Sequence, residues 1–251
     1  MSKKLDTSWG NSAEWYDDLI SGDDSFQTKV IMPNLLRLMK IERGDQLLDV
    51  GCGTGFFSRE FAWAGAKVVG VDVGPELLKI AKQNSPMSEF ILGSADKLDF
   101  IKSETVDKIT FVLSLQNMPD VSAAIGEAAR CLRRGGKMYL VLNHPAFRIP
   151  GSSSWGWDSQ RQVEYRRLDS YLSEKKVKID MHPGKQEQIT TWSFHSPLQY
   201  YFKIFNKYGL LTERLEEWVS HRKVVAGPRK TAENRAKAEF PLFLALVLVR
   251  G

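Results

Sequence analysis

The sequence predicts a doubly wound α/β fold whose central sheet has seven strands. Three observations support this fold class. Short apolar runs alternate with stretches of helical hydrophobic period between residues 46 and 143. The first apolar run ends in a turn with glycine at alternate positions, at Gly51, Gly53 and Gly55. Two further segments, at 210–218 and 240–249, are predicted to form the last two strands.

The predicted elements alternate regularly through residue 143. Strands are expected at 46–50, 67–71, 89–92, 106–114 and 137–143, and helices at 56–65, 75–84 and 120–131. Pro75 suits the first turn of its helix, because a backbone N–H at that position has no partner within the helix. Gly135 and Gly136 predict a turn into the fifth strand. In a sheet of this kind, ligands bind at the carboxyl ends of the strands.

Residues 1–42 are predicted to form a helical cap ahead of the first strand. Asn11 or Ser12 would cap a short helix at 11–21. A second helix is expected from residue 25 to residue 40, and Pro33 is expected to break it.

Residues 144–196 interrupt the alternation and are too many for an ordinary connection between a strand and a helix. They are predicted to form an inserted substrate lid, with a helix at about 159–172 and a hairpin from 176–180 and 188–194. A helix at 197–208 then leads back into the sheet. The chain is therefore expected to be a single domain, with its core at 43–143 and the rest of the sheet at 197–251.

The residues around the glycine turn indicate its ligand. A dinucleotide-binding turn needs a glycine three positions after Gly53, where this chain has Phe56. Asp49, just before the turn, would repel a pyrophosphate but suits a ligand that carries an ammonium group. Asp72 ends the next apolar run. The distance along the chain from Asp49 to Asp72 is about the one at which a carboxylate at the end of the second strand reaches ribose hydroxyls. A ligand with a ribose and an amino acid end satisfies both carboxylates, which indicates S-adenosylmethionine (SAM).

Five segments resemble, in the right order, motifs of the class I SAM-dependent methyltransferases, and in particular of their ubiquinone/menaquinone-methyltransferase-like group. The segments are Asp49–Gly55, Val71–Asp72, Gly93–Asp96, Val112–Asp120 and Leu132–Lys137. The resemblance implies a Rossmann-like sheet with an antiparallel last strand, SAM as the cofactor and S-adenosylhomocysteine as the product. The cofactor-binding residues that it implies are Tyr16, Asp49, Gly51, Gly53, Gly55, Asp72, Val73, Ala95, Asp96, Leu113 and Ser114.

The acceptor side offers candidate residues for both binding and proton transfer. Methyl transfer from a sulfonium is an in-line displacement, and a base is needed only where the acceptor must lose a proton. His144, directly after the fifth strand, and then His195 are the candidate bases, although each could instead order a loop. No metal site is predicted. The candidate substrate-binding residues are Gln116, Asn117, Arg148, Trp155, Trp157 and Trp192.

Composition favours a cytoplasmic protein without a membrane partner, as a monomer or homodimer. The first residues form no apolar signal segment, and the longest apolar run, Phe240 to Val249, is too short to span a bilayer. Two cysteines exclude a disulfide framework. The net charge is −2 over residues 1–142 and +7 over residues 143–251. A basic second half favours an anionic or electron-rich small-molecule acceptor or RNA, and a solvated surface explains it as well.

The fourth motif narrows the acceptor class. Methylation of an exocyclic base amine often goes with Asn/Asp-Pro-Pro-Tyr/Phe in the resembled superfamily, whereas this chain has Ser114-Leu-Gln-Asn117. Methylation at a pyrimidine carbon needs a cysteine nucleophile, and neither Cys52 nor Cys131 is well placed. The predicted function is O- or C-methylation of a small aromatic or quinone-like metabolite. RNA methylation and SAM binding without catalysis remain as alternatives.

Overall fold

A seven-stranded sheet organises the chain, as the sequence predicts. The structure is a computed structural model that describes residues 13–180 and 190–251. Its strands are β1 (Gln46–Val50), β2 (Lys67–Asp72), β3 (Glu89–Leu92), β4 (Val106–Val112), β5 (Leu132–Asn143), β6 (Ser153–Asp158), β7 (Val163–Leu168), β8 (Lys175–Asp180), β9 (Thr190–His195), β10 (Leu210–Trp218) and β11 (Phe243–Arg250). The main sheet has the order β10-β11-β5-β4-β1-β2-β3, and β11 runs antiparallel to both of its neighbours.

Helices cover both faces of this sheet. They are α1 (Ala13–Ser21), α2 (Met32–Met39), α3 (Phe56–Trp63), α4 (Pro75–Asn84), α5 (Val121–Cys131), α6 (Leu198–Lys207) and α7 (Lys230–Glu239). The helix α7 was not predicted from the sequence. Two short turns also matter for the site: a π-helical turn at Gln27–Ile31 and a 3-10 turn at Leu115–Asn117.

The order of the strands reverses at β1, which pairs in parallel with β2 on one side and with β4 on the other. Connections therefore leave β1 and β4 in opposite directions, and a crevice opens beyond their carboxyl ends. The glycine turn that follows Val50 lies at this crevice. The topology thus places the predicted cofactor turn where a doubly wound sheet binds its ligands.

Each face of the sheet has its own hydrophobic core, because successive side chains of a strand point to opposite faces. On β5, Met138 and Leu140 belong to the core that includes side chains of α5 and α6. Tyr139 and Val141 belong to the core that includes side chains of α2 and α3. These β5 side chains are at most 1% exposed, so the strand is buried on both faces.

The N-terminal cap differs from the prediction in one respect. The expected helix at 25–40 is divided into the π-helical turn Gln27–Ile31 and α2. Pro33 lies in the first turn of α2, where a missing N–H is tolerated, and the backbone stays helical from the π-helical turn into α2, so Pro33 does not break the helix. The predicted capping residues Asn11 and Ser12 lie outside the described residues.

The secondary structure predicted for residues 144–196 is partly correct. The expected helix at 159–172 is wrong, because residues 163–168 form β7 and pair antiparallel with β6. The turn between the two strands is stabilised by Asp158, whose Oδ1 accepts hydrogen bonds from the N–H groups of Gln160 and Arg161. The second hairpin is confirmed as β8 and β9, and its connection at 181–189 lies outside the described residues.

The entry into β5 also departs from the prediction. A turn was expected at Gly135 and Gly136, but the strand already begins at Leu132. Val106 of β4 pairs with Leu132 and Lys108 pairs with Lys137, so an irregularity in β5 absorbs the extra residues. Gly135 has a φ of 71°, which is consistent with such an irregular strand.

None of the helices in residues 13–180 and 190–251 combines the length and the apolar character that crossing a bilayer requires.

We predict that Gly70→Ala destabilises the sheet between β2 and β3. A Cβ at Gly70 would lie 2.6 Å from two atoms of the Phe90 ring and 2.9 Å from Cys52 Sγ. Because Phe90 is buried, the substitution should lower the free energy of unfolding by about 1–3 kcal/mol, measured by urea denaturation. Gly93→Ala is the control, since its Cβ would meet the ring of Phe100, which is 42% exposed and can move into solvent. An equal loss in the control would contradict this account.

Candidate cofactor and acceptor site

The glycine turn between β1 and α3 has a backbone that other residues adopt only with strain. Gly51, Gly53 and Gly55 have φ angles of 72°, 56° and 75°. A Cβ at Gly51 would lie 2.5 Å from Ser114 Cβ, and one at Gly55 would lie 3.0 Å from Ala81. At Gly53 the nearest atom to such a Cβ is Tyr16 Cε1, at 3.8 Å. Gly51 and Gly55 are therefore needed for packing, whereas Gly53 leaves open space beside the turn.

Asp72, the last residue of β2, joins this turn to the next one. Its Oδ2 accepts a hydrogen bond from the N–H of Gly53 and its Oδ1 accepts one from the N–H of Gly74, both at 2.9 Å. Burial raises the pKa of this carboxyl, and the backbone N–H groups oppose the rise. A carboxylate oxygen can accept more than one hydrogen bond, so both oxygens keep the capacity to accept from ribose hydroxyls.

Asp49 lies beneath the turn, 2% exposed in the middle of the sheet. Its Oδ2 accepts a hydrogen bond from Ser58 Oγ at 2.6 Å, and its Oδ1 accepts one from Thr110 Oγ1 at 2.8 Å. Burial raises the pKa of Asp49 to about 6, although the two hydroxyls oppose the rise. Asp49 thus holds β1, α3 and β4 together at the point where the turn begins.

A cavity of about 340 Å³ lies at the carboxyl ends of β1, β2 and β4. Its wall brings together most of the predicted cofactor residues: Tyr16, Gly51, Gly53, Asp72, Val73, Ala95, Asp96, Leu113 and Ser114. Gly55 and Asp49 are not on this wall, so any effect of theirs on a ligand acts through the turn. The volume and the mixture of carboxylates, backbone and apolar groups fit an adenosyl ligand such as SAM.

Several wall residues were missed by the sequence analysis. They are Val71, Leu77, Gly93, Ser94, Lys97, Val112, Met118, Pro119, Asp120 and Ala124. Gly93, Ser94, Met118, Pro119 and Asp120 belong to segments that carried the family resemblance, so their place in the sequence was a usable signal. Leu77 and Ala124 face the cavity from helices, and nothing in their local sequence indicates this.

Leu113 has a strained backbone at the cavity wall. Its φ is 54°, a conformation that is unusual for a bulky residue, and its N–H donates a hydrogen bond to the carbonyl of Val141 at 2.8 Å. The chain therefore turns sharply as it leaves β4, and Ser114 donates its hydroxyl to the carbonyl of Val50 at 2.8 Å. Such strain is typical of functional sites, where the surrounding structure holds it in place.

Tyr16 brings the N-terminal cap to the same wall. Burial, and then the negative charges of Asp72 and Asp17, raise the pKa of Tyr16 to about 12. Its phenol is therefore neutral at physiological pH. Asn84 of α4 anchors this region, because its side-chain amide donates to Asp17 Oδ1 at 2.9 Å and to the carbonyl of Thr54 at 3.0 Å. The helix α1 is thus connected both to α4 and to the glycine turn.

Comparison with known proteins agrees with this geometry. Residues 48–140 match a family described as a methyltransferase domain. Residues 48–140 therefore carry the features of this methyltransferase family, and the fold around them is the Rossmann-like fold of class I methyltransferases.

Two curated proteins that are similar to this chain match over part of their length. The ubiquinone biosynthesis O-methyltransferase of Xanthomonas oryzae pv. oryzae (strain PXO99A) is 36% identical over 101 residues, which is 39% of this chain and 42% of that protein. The demethylmenaquinone methyltransferase of Streptomyces avermitilis is 33% identical over 140 residues, which is 54% of this chain and 58% of that protein. The aligned part of this chain thus spans about half the length of these curated relatives.

The fold extends beyond the aligned sequence. A SAM-dependent methyltransferase of known structure from Mesorhizobium loti superposes with a TM-score of 0.70 at 24% identity, covering 86% of this chain and 96% of that one. This likeness concerns the fold, and it includes the Rossmann-like sheet that the sequence predicts.

Both ring nitrogens of His144 form hydrogen bonds within the protein. Its Nδ1 accepts hydrogen bonds from the N–H groups of Ala146 and Phe147, at 3.2 and 3.3 Å. Its Nε2 must therefore carry the proton, which it donates to Glu217 Oε1 at 2.7 Å. Burial lowers the pKa of His144, which is 2% exposed. These contacts give the histidine a positioning role at the end of β5, and its role as a base stays a prediction.

His195 lies at the end of β9 and is 5% exposed. Its Nε2 is 2.8 Å from the carbonyl oxygen of Tyr171, so Nε2 carries the proton and Nδ1 is an acceptor. The hydroxyl of Tyr171 in turn accepts a hydrogen bond from the N–H of Leu198 at 3.0 Å. Nδ1 is therefore the ring nitrogen that can accept a proton, and the catalytic role of His195 also stays a prediction.

The predicted aromatic acceptor residues are not brought together in the cavity. Trp155 packs edge-on against Phe240, and the ring of Trp157 lies under Arg229, with 4.5 Å between the guanidinium carbon and the ring centroid. The ring of Trp192 lies 4.3 Å from the ammonium of Lys176. Arg148, another predicted acceptor contact, donates a hydrogen bond to Asn143 Oδ1 at 2.6 Å.

The 3-10 turn Leu115–Asn117 lies beside the cavity wall and contacts β9. Asn117 lines the cavity wall and donates its side-chain amide to the carbonyl of Leu113 at 3.3 Å. Gln116 is not on that wall, and it is 8% exposed. Of the two residues of this turn that were predicted to bind the methyl acceptor, only Asn117 therefore lines the cavity.

We predict that Asp49→Asn changes how stability depends on pH. The folded protein holds a proton on Asp49 up to about pH 6, whereas the ordinary pKa is 3.8, so this group's contribution to stability falls as the pH rises from about 4 to about 6. Between pH 4 and pH 7, the free energy of unfolding of the wild type should therefore fall relative to that of the variant by up to about 3 kcal/mol.

Urea unfolding at a series of pH values measures this difference. The lowered pKa of His144 acts in the opposite sense, because its contribution rises with pH up to about 6.5, but it is common to both proteins and cancels. Asp18→Asn, on the exposed side of α1, is the matched control. A difference between wild type and Asp49→Asn that does not vary with pH would show that Asp49 has an ordinary pKa in the folded protein.

Proposed function

We propose that this chain transfers a methyl group from SAM to a small aromatic or quinone-like metabolite, by O- or C-methylation. The observation that carries the proposal is the cavity of about 340 Å³ beyond β1, β2 and β4, with a glycine turn at one side and the carboxylate of Asp72 bound to two backbone N–H groups at another. That combination suits a ligand with a ribose and an amino acid end.

The described residues suggest how SAM would be held. Asp72 would accept hydrogen bonds from the ribose hydroxyls, because both of its oxygens keep lone pairs after binding Gly53 and Gly74. Asp96, together with Ala95, would contact the adenine. The open space at Gly53 would admit the amino acid end, with the neutral Tyr16 phenol beside it.

The reaction makes modest demands on protein chemistry. SAM supplies an electrophilic methyl group on a sulfonium, and a neutral thioether leaves. The protein's main contribution is to orient the acceptor in line and to exclude water, which can lower the barrier by roughly 7–11 kcal/mol. The cap formed by α1 and the sharp bend at Leu113 support such a closed, oriented site.

Similarity to known proteins supports the class of acceptor. The similar proteins named above are a ubiquinone biosynthesis O-methyltransferase and a demethylmenaquinone methyltransferase, which favours a quinone-like acceptor. Where the acceptor must lose a proton, His195 is the better candidate base, because its Nδ1 is an acceptor and the strand that carries it packs on the 3-10 turn beside the cavity. In His144, Nδ1 already accepts two backbone hydrogen bonds.

RNA methylation is the second candidate. The outer face of the β8–β9 hairpin favours it, because Lys176 and Lys178 flank the half-exposed ring of Trp192 at 4.3 and 5.5 Å. Cations interleaved with aromatic rings are typical of surfaces that bind single-stranded nucleic acid. SAM binding without catalysis is the third candidate.

Label transfer distinguishes these candidates. Purified protein, methyl-labelled SAM and an extract of cells that lack the protein are incubated, and RNA, protein and small-molecule fractions are counted separately. We expect the label in the small-molecule fraction. Label in RNA would replace the proposal by its second candidate, and label in no fraction, with SAM bound, would favour the third.

We also predict that Asp72→Asn weakens binding of S-adenosylhomocysteine by about 10- to 100-fold in isothermal titration calorimetry. The variant loses the charge-assisted hydrogen bonds, and its amide group would face a backbone N–H. Asp99→Asn, at a carboxylate that is 72% exposed, should bind like the wild type. Unchanged affinity in a folded Asp72→Asn protein would show that the cofactor does not contact this carboxylate.

A further inference from the structure

Four arginines lie between residues 144 and 180, and the structure divides them into two kinds. Arg161 and Arg167 each form an ion pair with a nearby aspartate. Arg148 and Arg166 form no ion pair with any carboxylate of residues 13–180 and 190–251. Most arginines outside this segment that are held in a fixed position also have a carboxylate partner, so these two need a separate explanation.

Neutral oxygen atoms hold both of these guanidinium groups in place. Arg148 Nη1 donates a hydrogen bond to Asn143 Oδ1 at 2.6 Å. Arg166 Nε donates to the carbonyl of Phe147 at 2.7 Å, and its Nη2 donates to Ser153 Oγ at 2.8 Å. Phe147 directly precedes Arg148, so the two arginines are neighbours in space. A guanidinium has five N–H donors, and these contacts therefore leave most of the donors of both side chains available.

Two positive charges that are close together without a carboxylate repel each other. The protein around Arg148 removes part of its contact with solvent, which lowers its pKa, and the charge of Arg166 lowers it further. Burial also lowers the pKa of Arg166. An oxyanion bound to both guanidinium groups would offset the repulsion and the lost hydration, because the planar fork of Arg matches carboxylate and phosphate oxygens. Arg148 is exposed, so a ligand can reach it.

The pair lies at the edge of the sheet where the cofactor cavity opens. Asn143, which fixes Arg148, is the last residue of β5. Val112, at the end of β4, lines the cavity and pairs with Val141, two residues before Asn143. Adjacent strands are about 5 Å apart and a strand rises about 3.3 Å per residue, so the backbone of Asn143 lies roughly 8 Å from this part of the cavity wall.

Arg148 is also on the same face of the sheet as part of the cavity wall. Its guanidinium carbon lies 5.5 Å from the centroid of the Phe243 ring. Phe243 belongs to the core against which Tyr16 and Leu113 pack, and both of these residues line the cavity. A small molecule bound by the arginine pair can therefore extend toward the cavity without crossing the sheet.

We propose that Arg148 and Arg166 form an oxyanion-binding site that holds a carboxylate or phosphate group of the methyl acceptor. This proposal rests on the proposed function and narrows it to acceptors that carry such a group. The anion is then the end of the acceptor that faces away from the transferred methyl group. A neutral analogue leaves both guanidinium groups without a counter-ion and binds more weakly.

Titration of benzoate into the protein loaded with S-adenosylhomocysteine, followed by ligand-observed NMR in a buffer without phosphate or sulfate, tests the proposal without any need for turnover. The wild type should bind benzoate at least tenfold more tightly than Arg148→Gln, which can still donate to Asn143 but has no charge. Arg148→Lys keeps the charge without the planar fork and should recover only part of the affinity. Arg167→Gln, at an ion pair whose arginine is 63% exposed, is the matched control and should bind like the wild type.

Two further probes define the chemistry of the site. Benzamide, which has the same ring without a charge, should bind the wild type at least tenfold more weakly than benzoate does. Phenyl phosphate distinguishes the two oxyanions. If it binds more tightly than benzoate and loses affinity in Arg148→Gln, the site is assigned to a phosphate group, and the opposite order assigns it to a carboxylate.

Thermal unfolding supplies a second readout. Benzoate at ten times its Kd should raise the Tm of the wild type by about 3–6 °C, and the same concentration should raise that of Arg148→Gln by no more than about 2 °C. No binding of benzoate by the wild type, equal binding by wild type and Arg148→Gln, or equal binding of benzoate and benzamide would each overturn the proposal. Failure of the proposed function would appear separately, as a protein that binds benzoate through Arg148 yet transfers no label to any fraction.

Discussion

One buried carboxylate holds together the part of the fold on which the site depends. Asp49 accepts a hydrogen bond from Ser58 of α3 on one oxygen and from Thr110 of β4 on the other, so it joins three elements at the reversal point of the sheet. The glycine turn begins two residues later, so the hydrogen bonds of Asp49 also fix where the turn lies. Asp72 then extends the arrangement outward, because it binds the N–H groups of two successive turns. The cavity wall is the outer surface of this hydrogen-bonded frame.

The sequence predicts this region well because its signals are local. The glycines at positions 51 and 55 indicate a backbone with positive φ angles. An acidic residue at the end of a strand indicates the edge of the sheet that faces a ligand. The lid was predicted less well because its structure depends on pairing between distant segments. Residues 163–168 have a composition suited to a helix, yet they pair with 153–158 across a turn.

The aromatic residues of the lid illustrate how composition can mislead. Trp155, Trp157 and Trp192 suggested a single pocket, but each contacts a different cation or ring at the outside of a hairpin. Rings in such contacts cover the stems of long basic side chains and keep the hairpins in place. On β9 the half-exposed ring of Trp192 lies on the outer face, and the buried side chains of Thr191, Ser193 and His195 lie on the inner one.

The antiparallel strand β11 has a consequence for biosynthesis. It lies between β5 and β10 in the sheet, yet it leaves the ribosome after both of them. Until residues 243–250 emerge, β5 has an unpaired edge and β10 has no neighbour in the sheet. Domains fold as units during translation, and open strand edges favour misassociation. During translation the sheet is therefore incomplete until β11 has been synthesised. We expect a chaperone to protect the nascent chain most during this interval.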